Sequence, residues 1–225
     1  MQELPMSAPV ESGVAQEGAN SQRDLDPLVA LLMPAVIHRL GNATQLLTGL
    51  NAMLAMGDQD ALDMVAGRGE DLSRAGMHSI HMGYALGVLG SVQGSNLLLS
   101  RREARGLEWM VELLGEALRR EGGQLGVPTG PIPDQNPAAM DGWQAAWAVC
   151  RILLAGATDS TADQSWSLQQ SAAGGPWLLD VPRPHPDDLE QLAMAFEGQT
   201  CGLLLGTCSE ARATFELPAD WFRQA

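Results

Sequence analysis

Apolar residues recur at three- and four-residue steps near the start of the chain: Leu32, Ala35, Val36, Leu40, Ala43, Leu46, Leu47, Leu50, Met53 and Leu54. That step winds a buried stripe along one helix. Asp24 or Asp26 can cap the helix and Pro27 suits its first turn, while Gly57-Asp58 closes it after Met56. A second periodic run starts at Asp60 and reaches about Gly94, with Leu62, Val65, Leu72, Met77, Ile80, Tyr84, Leu86, Val88 and Leu89 apolar. Gly69, Gly76, Gly83 and Gly90 lie seven residues apart in it and return to nearly the same helix face. Each helical glycine costs about 1 kcal/mol relative to alanine. The line of glycines therefore predicts either close approach of a neighbouring helix or a bent, frayed one. Two long helices joined by a short turn form a hairpin. A hairpin buries both stripes only by pairing with a second copy, which predicts a homodimer with a four-helix bundle.

The pattern changes after residue 95. Asn96 to Ser100 reads as a short strand and Glu103 to Arg120 as a helix, stopped by Gly122 and Gly123. Gln124 to Pro133 is extended, and Pro137 opens a helix to Gly156 whose Trp143 and Trp147 are core anchors. Trp166–Gln170 and Trp177–Val181, with Gly174-Gly175 between them, give a hairpin signal. A short helix follows over Pro186–Phe196, with Asp187 and Asp188 favouring its N-terminus. Gly202–Gly206 and Ala213–Leu217 read as a final strand pair. The fold class expected is α+β: a helical hairpin (24–94), then an α/β sandwich with helices on one face of a mixed sheet (95–225). Residues 1–23 carry no period and are rich in Gly, Ser, Ala, Pro, Gln and Glu, which reads as a disordered tail.

Composition narrows the chemistry. The chain has 225 residues, 45% of them hydrophobic, enough for one ordinary domain or two small ones. Its formal net charge is -14, and all 13 basic residues are arginine. Without lysine there is no P-loop and no Schiff base, and the acidic balance argues against nonspecific nucleic-acid binding. Cys150, Cys201 and Cys208 have no metal-ligand spacing and read as reduced thiols. His78 and His81, one turn apart, lack further ligands for a metal, and His185 sits in a loop between prolines. No apolar run is long enough to span a membrane and no signal-peptide pattern opens the chain, so a cytoplasmic location is expected.

His38 lies one step off the first buried stripe, beside Arg39 and one turn before Asn42. A helical i, i+4 pair shares a face, so His38 and Asn42 can address one incoming group. With Leu40, Leu47 and Gly49, this spacing resembles the phosphoacceptor helix of two-component histidine kinases and of the dimeric histidine phosphotransferases related to them. Arg39 stands where the family has an acidic residue that activates the histidine toward ATP, and Ala43 stands where it often has proline. The order of elements from Asn96 to Pro218 resembles the kinase ATP-binding domain. Its nucleotide motifs are missing, however: Arg151 and Ala155 take the places of the asparagines, PRPHPDD follows the strand LLDV without Asp-x-Gly, and EGQTCGLLLG lacks GxGxG.

The resemblance implies a degenerate kinase-like protein that relays a phosphoryl group through His38 without a nucleotide cofactor. It further implies response-regulator receiver domains, and a hybrid histidine kinase, as partners, with magnesium supplied by the receiver. Arg39 could favour the incoming acyl phosphate by charge. Two alternatives stay open: a response-regulator phosphatase using Asn42, and a non-catalytic dimeric adaptor.

Overall fold

A computed structural model describes residues 27–92, 105–136, 142–157, 164–196 and 204–223. The expected tail and the strand at Asn96–Ser100 lie outside them, as do Cys201 and the side chain of Trp143.

The described chain is α+β. Helix α1 spans Pro27–Met56, α2 Gln59–Ala66, α3 Gly69–Val92, α4 Gly106–Arg120, α5 Gly142–Gly156 and α6 Pro186–Phe196. Strands β1 (Ser167–Gln170), β2 (Trp177–Pro182), β3 (Leu204–Cys208) and β4 (Arg212–Leu217) form one sheet in the order β1-β2-β4-β3. All three strand pairings are antiparallel. Among the described strands the sheet is antiparallel where the sequence reading expects a mixed one. β1-β2 and β3-β4 are hairpins, and tight turns permit only antiparallel pairing. One parallel bridge, Pro128 to Trp166, fastens the extended segment before α5 to the start of β1. There Trp166 Nε1 donates to the Gly126 carbonyl at 2.9 Å. A Cβ on Gly126 would fall on the carbonyl of Gln164, so only glycine fits that crossing.

The second long helix is also corrected. It starts at Gln59, where the Asp58 carboxylate accepts from the Ala61 amide at 2.7 Å, and it breaks after Ala66. The Gly67 amide donates back to Asp63 and that of Arg68 to Val65, and the Leu72 amide then donates to the Arg68 carbonyl to begin α3. Two glycines flanking Arg68 make the helix weakest there. Gly57, with φ 71°, ends α1 in the left-handed conformation that glycine tolerates best. Among the described residues the glycine line shows no close approach: a Cβ on Gly69, Gly76 or Gly83 would meet nothing within 4 Å.

The buried core is continuous. Leu28, Val29, Leu32, Ala35 and Val36 of α1 join Met82 of α3, the inner faces of α4 and α5, and the sheet residues Leu179, Val181, Ala213, Phe215 and Leu217. α5 packs against β2, α6 and α4, and α4 lies against α1. Nine α4 residues are buried, among them Trp109, Met110, Leu113 and Leu114, which explains why a helix ending in Arg119-Arg120 has so sharp an apolar face. Beyond Val36, Leu40 still packs against this core and Ala43 and Leu50 are buried, while Ile37, Leu47, Leu54 and Met56 stay exposed; α1 also lies against α3 and α2.

Candidate functional site

His38 sits where α1 leaves the common core. Val36, two residues earlier, is fully buried, whereas His38 itself is exposed. On a helix each residue turns about 100° from the last. The stripe that seats Leu32, Ala35 and Val36 therefore carries His38 to the solvent side. Of its neighbours one turn away, Pro34, Gly41 and Asn42 are exposed and only Ala35 is buried. The space where a side chain on Gly41 would stand is open. Pro34 contributes no amide donor to the helix ladder and is tolerated on this solvent side.

Asn42 Nδ2 lies 3.1 Å from His38 Nε2. An amide N–H donates, so in the neutral ring with its proton on Nδ1 the Nε2 lone pair accepts this contact. The lone pair held by Asn42 is the one a nucleophilic Nε2 would use. An exposed hydrogen bond of this kind contributes only about 0.5–1.5 kcal/mol, so the amide can swing aside at small cost.

Arg39 points the other way. Its Nε donates to Glu116 Oε2 of α4 at 2.6 Å, and its Nη1 lies 3.9 Å from Glu112 Oε2. The Arg39 side chain is only 14% exposed. The second oxygen of Glu116 accepts from Arg120 at 3.0 Å. The structure thus brings His38 and Asn42 together and turns Arg39 into the helix interface. Sequence reasoning missed Glu116, because i, i+4 spacing on α4 shows its pairing with Arg120 but not with a residue 77 positions away.

Helices α5 and α6 and the start of α1 enclose a cavity with apolar and polar lining. Its volume is about 310 Å³, and Arg151 and Ala155 line it with Pro27, Leu31, Leu154 and Leu192. The Arg151 guanidinium lies 5.0 Å from the ring centre of Trp147, a cation–π contact. Asp187 and Asp188 open α6, as their positions predict, and His185 Nδ1 accepts from the Asp187 amide at 3.4 Å.

The remaining candidates are structural. His81 stacks on Trp109 with ring centres 5.0 Å apart and planes 7° apart. With His78, Glu70, Arg74 and Glu112 it lines a shallow groove between α3 and α4. Among the described residues no group of three or more His, Cys, Asp or Glu could hold a metal ion, and no helix is long and apolar enough to cross a membrane. Cys150 is buried in the core, and that burial pushes its thiol far above the ordinary range, whereas Cys208 is exposed. No protein-family model and no curated protein matches the chain.

Proposed function

We propose that the protein relays phosphoryl groups in two-component signalling through His38, as a homodimer whose α1–α3 helices pair into a four-helix bundle and whose second half is a degenerate kinase-type domain. The observation that carries this reading is the exposed His38, whose Nε2 lies 3.1 Å from the Asn42 amide nitrogen. In the step proposed, Nε2 attacks the phosphorus of a receiver's aspartyl phosphate. The N–P bond forms as the P–O bond to the aspartate breaks, the aspartate leaves as carboxylate, and the Nδ1 proton passes to water. The receiver supplies the magnesium, and the relay protein supplies an aligned nucleophile. The return transfer to a second receiver reverses these bonds.

Two further observations support the reading. The open glycine line on α3 and the exposed Leu47, Leu54, Met77 and Ile80 offer apolar surface for a second copy. Arg151 and Ala155, which stand where the resemblance calls for asparagines, line one cavity with Asp188 and Gln191. The exposure of Asn42 favours one second reading, in which its amide orients a water against a receiver's phosphate and the protein acts as a phosphatase.

The test is a transfer assay with phosphorylated receiver domains. Acid-labile, base-stable label is expected on the wild type and on Asn42→Ala, and none on His38→Ala. Free phosphate released without labelled protein, and lost in Asn42→Ala, would replace relay by the phosphatase. Sedimentation that returned only the 23.9 kDa chain would remove the bundle.

A further inference from the structure

We infer that Glu116 is a positioning residue for His38, acting through Arg39, and that Arg39 serves this clamp and not the phosphoryl group. The inference rests on the relay reading and deepens it.

Three features of the geometry carry it. Arg39 is the residue next to His38, so whatever fixes its side chain fixes the rotation of α1 at the nucleophile. Its Nε bond to Glu116 is short, 2.6 Å, and both partners are largely shielded, at 14% and 20% exposure. A shielded ion pair breaks at the cost of leaving a desolvated charge uncompensated. Swinging Arg39 round the helix toward a group on Nε2 would do that to Glu116. The Glu116 carboxylate is also held from its other side, since Arg120 donates to Oε1 at 3.0 Å. The acceptor is thereby oriented before Arg39 reaches it. Glu112, one turn earlier on α4, adds a looser contact at 3.9 Å.

The clamp lies at the point where α1 passes from the core onto α3. Upstream, Leu32 and Val36 are seated by apolar packing; downstream, Leu40 still touches the core and α1 also lies against α3 and α2. Apolar contacts are non-directional and permit sliding and rotation. A bidentate-capable guanidinium against an oriented carboxylate is directional. The pair therefore sets the angle at which a receiver, resting on α1 and on the adjacent edge of α4, meets the imidazole. Misplacing a nucleophile by about 1 Å can cost about a hundredfold in rate.

A double-mutant cycle separates this role from direct catalysis. Arg39→Gln, Glu116→Gln and the double variant are compared in single-turnover transfer from saturating phosphorylated receiver, with circular dichroism and melting checked for each. Expected are equal losses of about ten- to a hundredfold in the transfer rate for both single variants, and no further loss in the double variant. If Arg39 acted on the phosphoryl group, Glu116→Gln would leave the rate unchanged or raise it, and the clamp would be overturned.

A second measurement needs no transfer. Spin labels are placed at exposed Gln45 on α1 and Arg119 on α4, with Cys201 and Cys208 replaced by serine. The distance distribution should be narrow in the parent and broader in either single variant. Unchanged distributions would overturn the clamp. If no receiver transfers phosphate even to the wild type while the distributions broaden, the relay reading fails and the clamp stands.

Discussion

Leu32→Ala tests whether the first helix and the second half of the chain are one folding unit. Leu32 is fully buried where α1 enters the core shared with α4, α5 and the sheet. The substitution removes three buried carbons, worth about 0.8 kcal/mol each in transfer, or about 2.4 kcal/mol. The cavity left among close-packed neighbours raises the expected loss to about 3–4 kcal/mol. With a urea dependence of about 2 kcal/mol per molar, the midpoint should fall by about 1.5–2 M. The chain provides two separate reporters. All six tryptophans lie at or beyond residue 109, so fluorescence follows the second half. α1 and α3, at 30 and 24 residues, supply about half of the described helix, so far-ultraviolet circular dichroism weighs the first half far more than fluorescence does. Protein concentration is held fixed, because assembly would shift both curves. A continuous core requires the two transitions to move together. If the dichroism midpoint fell while the fluorescence curve overlaid the wild type, α1 would not be part of the core that holds the tryptophans, and the reasoning would be refuted.

Two other outcomes are expected. In a Cys201→Ser background a thiol reagent should label Cys208 at once and Cys150 only after denaturation. Because burial raises the Cys150 pKa, the unfolded thiol ionises above about pH 8.5 while the folded one does not. The stability from that thiol is complete below this pH and declines above it, and urea midpoints that hold level from pH 8 to 10 in wild type, or that fall equally in Cys150→Ala, would contradict it. Gln135 is 1% exposed, and neither its amide nitrogen nor its oxygen has a partner among the described residues. Replacing it with the similarly shaped Met should therefore raise stability by about 1–2 kcal/mol, read as a higher melting temperature; a lower one would mean that the amide is satisfied.

The parts of the fold legible in the sequence were those governed by local rules. The end of α1 at Met56, the start of α6 at Pro186, and the β1-β2 hairpin followed from caps, glycines and alternation. The break at Gly67–Arg68 was missed because the apolar period carries straight across it, from Val65 to Leu72, while the backbone responds to two nearby glycines. The parallel sheet component shrank to one bridge because extended segments do not announce their partners. At the site, the exposure of His38 and its reach to Asn42 followed from helical spacing alone. The orientation of Arg39 did not. It depends on a carboxylate brought in by tertiary packing, and a charge beside a histidine looks the same in sequence whether it faces solvent or a neighbouring helix. The stack of His81 on Trp109 was hidden for the same reason, since the two residues belong to different helices.

α1 is a single rod, gripped along its first third and resting on α3 beyond. From Val36 to Met56 it extends about 30 Å at 1.5 Å per residue. A tilt of about 5° at the grip would carry the far end sideways by about 2.5 Å over that length. By the same geometry the imidazole, two residues past Val36, would move only about 0.3 Å, so His38 sits at the still end of α1 and the contact with α2 at the end that any tilt displaces most.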